Sequence, residues 1–182
     1  LCRFGSILVN ASASSDVALT CISPPRSAVA VVPLEVSLNG QNFTSDGILF
    51  TYYTHGLPTE LCPSTGPAYG GTAVRITAAS GANGSDYRVS LRGANGTLVV
   101  PAAPTTIDEI EFTTPHFDAA GGYTVRTSLN AQQYSAPPGL ALHVYLPPRV
   151  DSLAPRCGPV DGNTNVTVNG AHFLHGSHNL CD

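Results

Sequence analysis

The sequence is poor in charge and contains neither Met nor Trp. Only 11% of its 182 residues are charged, and 8 Lys and Arg residues stand against 12 Asp and Glu residues. It has no run of basic residues that could neutralise several phosphates, so we expect no nucleic-acid partner. The absence of Met, even at the first position, predicts a processed or excised piece of a longer product.

Long apolar runs are missing as well. The longest apolar stretch, AVAVVPL, extends from Ala28 to Leu34, whereas a membrane-spanning helix needs about 20 apolar residues. We therefore predict no membrane span in this segment. No signal peptide precedes the stretch, so for a secreted protein we expect that the targeting segment has already been removed.

Catalytic motifs are also absent from the sequence. No G-x-S-x-G nucleophile turn is present. The glycines that follow Gly66 in GPAYGGT lack the Lys-Ser/Thr pair and the helix of a phosphate-binding loop, so we interpret them as a tight turn between strands. We expect no enzymatic activity, no catalytic residue and no cofactor.

One acidic cluster lies in the segment TTIDEIEF. Alternation along a strand places Ile110 and Phe112 on one face, and Glu109 and Glu111 on the opposite face. We therefore interpret the two carboxylates, together with the neighbouring Asp108, as a solvated strand face and not as a glycosidase-type acid pair.

The only cluster with metal-like spacing is formed by His172, His175 and His178, followed by Cys181 and Asp182. Residues three apart point to opposite faces of a strand, so these side chains could converge on Zn²⁺ only from a loop. We interpret the stretch as an exposed polar connection and expect no metal site.

The sequence is rich in strand signals. Alternating apolar and polar runs flank Asn39-Gly40 between Val32 and Tyr53, which predicts a hairpin with a tight turn, and a similar pattern runs from Tyr123 to Tyr145. No helical period is present, and 18 Gly and 15 Pro residues interrupt the chain at short intervals. These patterns predict an all-β protein.

Sequons and cysteines point to a secretory environment. The chain contains five Cys residues and several Asn-x-Ser/Thr sequons, a combination typical of extracellular glycoproteins with disulfides. We expect an extracellular or cell-surface location and N-linked glycans on Asn10, Asn42, Asn83, Asn95 and Asn165.

The sequence repeats itself with a period of about 91 residues. VSLNGQ aligns with TSLNAQ, which places Leu38 opposite Leu129, and CISP aligns with FTTP. LCPSTGPAYGGTAVRIT matches LAPRCGPVDGNTNVTV, which places Gly66 opposite Gly158. A fixed period of this kind predicts a tandem array.

The repeat does not begin where the chain begins. We predict that residues 55–147 form one complete unit, that residues 1–54 form the C-terminal half of another, and that residues 148–182 form the N-terminal strands of a further one. Each half would expose strand edges and an apolar face. Three solutions stay open: closure within one chain, completion by the next subunit, or continuation in a longer tandem polypeptide.

Several segments together resemble the IPT/TIG family of immunoglobulin-like domains. They are GPAYGGTAVRI from Gly66, GPVDGNTNVTV from Gly158, CRFG from Cys2, CISPP from Cys21 and the strand pair that ends at Tyr53. The resemblance implies antiparallel β-sandwiches of about 90 residues. It also implies a spacer, adhesion or protein-binding role without catalysis.

The resemblance implies a disulfide between Cys2 and Cys21, while the middle unit carries Phe112 in place of the second cysteine. Cys157 and Cys181 are a possible second pair. Cys62 aligns with Ala154 and is left over, either as a buried thiol or as a link to another chain.

These observations lead to a main hypothesis and two alternatives. The main hypothesis is a structural subunit of an extracellular glycosylated fibre or surface appendage, in which copies of the chain assemble head to tail through split sandwiches. The first alternative is an ectodomain segment of an adhesion or signalling receptor that binds a protein ligand. The second is an accessory module of a secreted carbohydrate-active enzyme.

Overall fold

A computed structural model describes residues 1–78, 84–135, 138 and 140–173 of the chain. These residues form seventeen β-strands and no helix, which confirms the all-β prediction. In this described part, accordingly, no helix could cross a membrane. The chain divides into two compact units, Leu1–Thr54 and His55–Asp182.

The unit Leu1–Thr54 contains a four-stranded antiparallel sheet in the order β2-β1-β5-β6 and a separate hairpin, β3-β4. Its strands are β1 (Cys2–Phe4), β2 (Ile7–Val9), β3 (Ala11–Ser15), β4 (Ala18–Cys21), β5 (Ala30–Val36) and β6 (Leu49–Tyr52).

A small aromatic core and a disulfide hold this unit together. The rings of Phe4 and Tyr52 both pack edge-on against Phe50, at centroid distances of 5.1 and 5.0 Å. Cys2 on β1 is bonded to Cys21 on β4, so the disulfide ties the hairpin to the sheet.

The unit His55–Asp182 contains a complete two-sheet sandwich. One sheet has five strands in the order β11-β10-β14-β15-β8, and the other has four in the order β12-β13-β9-β7. The strands are β7 (Pro58–Cys62), β8 (Thr65–Pro67), β9 (Ala73–Ala78), β10 (Arg88–Gly93), β11 (Gly96–Pro101), β12 (Ala103–Pro104), β13 (Glu109–Thr113), β14 (Gly121–Ser128) and β15 (Leu140–Tyr145).

The two sheets of the sandwich share one apolar core. Val74 and Ile76 of the four-stranded sheet, and Leu91 and Leu142 of the five-stranded sheet, are fully buried because alternate residues of each strand point inward. On β13 the predicted alternation is confirmed, since Ile110 and Phe112 are buried while Glu111 is exposed.

A third element of this unit is the antiparallel hairpin formed by β16 (Arg149–Ala154) and β17 (Thr167–Ala171). It forms a two-stranded sheet of its own. Its side chains are mostly exposed.

The loop between β5 and β6 differs from the predicted tight turn. The two strands pair in antiparallel fashion as expected, but β5 ends at Val36 and β6 begins at Leu49. Gly40 has the expected positive φ. Asn39 organises the first turn of this loop, since its Oδ1 accepts hydrogen bonds from the backbone N–H groups of Gln41 and Asn42, at 3.0 and 2.9 Å.

The GPAYGGT segment forms a tight turn, as predicted. The N–H of Gly70 donates to the Pro67 carbonyl at 3.0 Å, and Gly70 and Gly71 both have positive φ. The N–H of Gly71 donates to the Thr114 carbonyl at 2.8 Å, which brings the turn against the end of β13. A Cβ atom on Gly70 would lie 2.4 Å from the Pro115 carbonyl oxygen, whereas one on Gly71 would meet no atom within 4 Å.

This difference predicts unequal effects of alanine at the two glycines. Gly71→Ala should lower the free energy of unfolding by about 1 kcal/mol, because it only forces a side chain into left-handed backbone. Gly70→Ala should cost at least about 3 kcal/mol, since the backbone of Pro115 must also move. Urea unfolding followed by tyrosine fluorescence measures both, and equal losses would contradict the turn geometry.

The disulfide of the first unit predicts a further effect on stability. Cys2 and Cys21 are 19 residues apart, and removal of a cross-link that closes a loop of this size should cost about 3 kcal/mol. Urea unfolding of the Cys2→Ala/Cys21→Ala variant tests this. Cys157→Ser is the matched control, because Cys157 is an exposed free thiol and its loss should change stability by less than about 0.5 kcal/mol.

Candidate interaction surface

The histidine cluster is only partly within the described residues. The Nδ1 atom of His172 lies 3.0 Å from the Pro147 carbonyl oxygen, which positions the ring beside the start of the β16–β17 hairpin. His175, His178, Cys181 and Asp182 lie outside the described residues. Among the residues that are described, no group of three or more His, Cys, Asp or Glu side chains could hold a metal ion.

The acidic cluster has the surroundings expected of a strand face. Glu111 lies opposite Arg75 of β9 in the antiparallel register, and Glu109 lies opposite Thr77. The Thr105 hydroxyl donates to the Glu109 carbonyl at 3.3 Å. The pairing of Glu111 with a cationic neighbour is typical of an exposed cross-strand pair.

Four of the five sequon asparagines are exposed, namely Asn10, Asn42, Asn95 and Asn165. Asn83 lies outside the described residues. Asn95 occupies the turn between β10 and β11. Each of the four positions has room for a glycan, and glycosylation itself stays a prediction.

The cysteines follow the predicted pattern in one case and depart from it in two. The structure joins Cys2 to Cys21, with Cα atoms 6.4 Å apart. Cys157 is a free, exposed thiol, so its predicted pairing with Cys181 is corrected; Cys181 itself lies outside the described residues. Cys62 is disulfide-bonded, which corrects the prediction of an unpaired or intermolecular residue. Repeat alignment left Cys62 without a partner, because a disulfide requires spatial proximity and not equivalent repeat positions.

Charge is divided between the two sheets of the sandwich. None of the five strands β8, β10, β11, β14 and β15 contains Asp or Glu, while β10 and β14 carry Arg88, Arg92 and Arg126. Arg88 pairs with Asp86 at 2.8 Å, and Arg126 donates to the Ser135 carbonyl at 2.5 Å. The four-stranded sheet instead carries Glu60 and the two glutamates of β13, together with Arg75 of β9.

The unit Leu1–Thr54, called the half-sized unit below, repeats the strand order of the complete sandwich. Its sheet order β2-β1-β5-β6 corresponds to β11-β10-β14-β15, and its hairpin β3-β4 corresponds to β12-β13. Strand pairing places Cys2 opposite Val36 in one unit and Val89 opposite Thr127 in the other. Because Val36 is equivalent to Thr127 in the repeat, Cys2 occupies the position of Val89. The same repeat aligns Cys21 with Phe112.

Three strands of the complete sandwich have no equivalent within Leu1–Thr54. In the sandwich, β8 pairs with β15 and β9 pairs with β13. The corresponding strands β6 and β4 lie at the ends of their sheets. Among the described residues of Leu1–Thr54, no further strand pairs with the outer edge of β4 or of β6.

The side chains beside the open edge of β6 are incompletely covered. Phe50 is only half-buried, although Leu142 in the corresponding position is fully buried. The Tyr52 hydroxyl is shielded from solvent, yet it makes no hydrogen bond among the described residues. Burial also raises the pKa of the adjacent Tyr53, because desolvation disfavours the phenolate.

The hairpin β16–β17 reproduces the strand pair β7–β9. The register shifts between Val150 and Ser152 just as it shifts between Pro58 and Glu60. The turn that precedes β17 also repeats, with the Gly162 N–H donating to the Pro159 carbonyl at 3.1 Å. The hairpin therefore has the backbone of a strand pair that, in the complete sandwich, covers the core.

The apolar face of this hairpin is exposed. Leu153, Val166 and Val168 are 43%, 44% and 43% exposed. The corresponding residues of the sandwich, Leu61, Val74 and Ile76, are 9%, 0% and 0% exposed. The sequence repeat had predicted that residues 148–182 would have an apolar face. The strand register is needed to show that Leu153, Val166 and Val168 form it.

Sequence patterns did not predict a cleft between the hairpin and the end of the sandwich. It has a volume of about 710 Å³ and is mainly apolar. Tyr145 and Leu146 line one side, and Gly170, His172 and Phe173 line the other. The His172–Pro147 contact was undetectable in the sequence, because it depends on how the chain turns after β15.

Comparisons with known proteins link the chain to two large proteins. No protein-family model matches it. Fibrocystin of Canis lupus familiaris is 27% identical over 178 residues, or 96% of this chain. Human Plexin-B1 is 29% identical over 120 residues, or 63% of this chain. The matched segments make up only 4% of fibrocystin and 5% of Plexin-B1.

A solved structure shows the same architecture. The structure of the full extracellular region of plexin A4, domains 1 to 10, matches 94% of this chain with a TM-score of 0.60 and 16% sequence identity. This chain covers 15% of that structure. The match shows that the fold is that of immunoglobulin-like β-sandwiches, as the resemblance to IPT/TIG domains implied.

Proposed function

We propose that this chain is a segment of the extracellular region of a cell-surface receptor, and that its immunoglobulin-like units act as spacers that also bind a protein ligand. The observation that carries the proposal is the match of 94% of the chain to part of the full extracellular region of plexin A4. The four exposed sequon asparagines and the Cys2–Cys21 disulfide are consistent with a secretory environment.

The comparisons favour the receptor segment over the fibre subunit. Fibrocystin and Plexin-B1 contain the matched stretch as a small part of one long polypeptide. Units joined covalently in this way need no assembly of separate subunits. The proposal therefore replaces the fibre hypothesis with the receptor alternative, and it includes no catalytic activity, cofactor or nucleic-acid partner.

The surface of the sandwich suits contact with other proteins. Its two outer faces differ in charge, since the five-stranded sheet carries three arginines and no acidic residue, whereas the four-stranded sheet carries three glutamates and one arginine. Arg92 is exposed on the arginine face. Complementary charge on a partner would orient the encounter and select one face over the other.

The proposal predicts that the chain faces the outside of the cell. An antibody raised against the purified chain should stain intact cells as strongly as permeabilised cells. Treatment of the intact cells with an N-glycosidase should increase the gel mobility of the stained protein, because at least four sequon asparagines are exposed.

Staining that requires permeabilisation would overturn the proposal. Electron microscopy of the native protein after detergent extraction separates the two main hypotheses. Discrete particles in the membrane fraction are expected for a receptor, and uniform filaments would instead support the fibre.

A further inference from the structure

We propose that the outer edge of β11 binds an extended segment of another protein, and that Arg92 pairs with an acidic residue of that segment. The inference deepens the proposed function, on which it rests for the source of the partner, because it names the surface that binds a protein ligand. β11 belongs to the complete sandwich and lies at the end of its five-stranded sheet. No described strand pairs with its outer edge.

The strand register identifies the backbone groups that face outward. The Ala102 N–H donates to the Tyr87 carbonyl at 3.0 Å, so this position bonds toward the neighbouring strand β10. Hydrogen-bonded and non-hydrogen-bonded positions alternate along an antiparallel pair. Leu98, four residues earlier, therefore also bonds toward β10, whereas Thr97 and Val99 direct their N–H and C=O groups outward. An added strand can form hydrogen bonds with both of these residues.

The edge lacks the usual protection against strand pairing. Natural edge strands are commonly protected by a charged residue, a proline or a bulge. From Thr97 to Val100 the strand has neither charge nor proline, and it pairs with β10 without a shift in register. Leu98 and Val99 are 37% and 54% exposed. A proline, Pro101, stands only at the end of the strand, so the preceding residues can accept a partner.

The charge of the sheet selects the kind of partner. Its five strands contain three arginines and no Asp or Glu. Arg88 is paired with Asp86, and Arg126 donates to the Ser135 carbonyl. Arg92 is exposed, and within the described part of the chain it forms no ion pair or hydrogen bond through its side chain. A carboxylate of the partner would give this guanidinium a charge-assisted hydrogen bond.

Arg92 lies where it can reach an added strand. It is opposite Thr97 in the register of β10 and β11, and it points to the outer face because the adjacent Leu91 is buried in the core. Neighbouring strands lie about 4.8 Å apart, so the residue opposite Thr97 on an added strand is roughly 9.6 Å from Arg92. The short Thr97 side chain leaves this path open, and the long side chains of Arg and Glu together span it.

The register also predicts the residues beside the acidic one. We take the added strand as antiparallel, because that pairing is the more stable per residue. Side chains alternate between the two faces, so apolar residues opposite Leu98 and Val99 would cover these two exposed side chains on the inner and outer face. The expected central sequence is therefore Val-Ile-Glu, with Val opposite Val99, Ile opposite Leu98 and Glu opposite Thr97.

A labelled peptide tests the proposal on the full chain. The probe is the fluorescent nonapeptide Gly-Ser-Thr-Val-Ile-Glu-Thr-Ser-Gly, and its dissociation constant is measured by fluorescence anisotropy. N-methylation of the Glu amide removes an N–H that points toward Thr97, and it should raise the dissociation constant at least about tenfold. N-methylation of the Ile amide is the matched control, since that N–H points away from β11, and it should change the constant less than about threefold. Equal effects of the two modifications, or no binding of the unmodified peptide at millimolar concentration, would reject the proposal.

The role of Arg92 is tested by a double-mutant cycle. Arg92→Gln should weaken binding of the peptide about fivefold, and replacement of the peptide Glu by Gln should weaken it by a similar factor. The two changes together should weaken it no further than either change alone. Arg75→Gln removes an arginine from the opposite sheet and should leave the dissociation constant within about twofold. Additive losses in the cycle would contradict the pairing of Arg92 with the acidic residue.

Substitutions of Val99 test the edge itself. The Val99 N–H faces outward, so Val99→Pro keeps the pairing with β10 but removes the donor, and it should weaken binding at least about tenfold. Val99→Thr keeps the N–H and should bind within about twofold of the wild type. Urea unfolding checks that both variants are folded, and undiminished binding to Val99→Pro would exclude this edge as the site. If Val99→Pro does not fold, the two N-methylated peptides decide the question.

Other outcomes separate this proposal from its alternatives. If a second copy of the chain occupies the edge, sedimentation should show wild-type dimers that Val99→Pro dissociates, and this result would overturn the proposal. Loss of peptide binding alone, with staining of intact cells retained, would reject the edge and leave the receptor assignment standing. Staining that requires permeabilisation would reject the receptor assignment, whereas peptide binding in solution does not depend on it.

Discussion

The structure depends on one constraint, which is that each sheet must cover its apolar face with a second sheet. Residues 55–147 meet this requirement within themselves, and Val74, Leu91 and Leu142 are fully buried as a result. Full burial of such a side chain contributes roughly 1.5–3 kcal/mol. The unit Leu1–Thr54 meets the requirement only in part, because it lacks the equivalents of three strands. The β16–β17 hairpin, whose leucine and valines are exposed, meets it least of all.

The two sandwich units connect their sheets in chemically different ways. In the complete sandwich, Val89 and Phe112 belong to one continuous core. In the half-sized unit the same positions hold Cys2 and Cys21, which are joined by a disulfide. A covalent link suits a unit whose core is small, because a cross-link restricts the unfolded chain without requiring more buried surface. At the position of Cys21, the sandwich has Phe112, which is held by packing within the core.

The fold could be predicted from local sequence patterns, whereas contacts between distant segments could not. Strand alternation predicted that Ile110 and Phe112 point inward, and the glycine pair predicted the turn at Gly70. Both predictions succeeded because each signal is contained within a few neighbouring residues. The long loop after β5 was missed because the turn signal at Asn39-Gly40 is local and does not indicate that the next strand begins only at Leu49. The disulfide at Cys62 was missed for a different reason: its partner is set by tertiary proximity, and repeat alignment carries no such information.

Side-chain size distinguishes the two units where their backbones agree. Phe4, Phe50 and Tyr52 of the half-sized unit occupy the positions of Leu91, Leu142 and Val144, so its inner face is bulkier. The hairpin has the smaller Val168 where the sandwich has Ile76, so it offers more room. Cores tolerate exchanged side chains when the total volume is kept. The two units therefore share a strand order but fill their inner faces with side chains of different size.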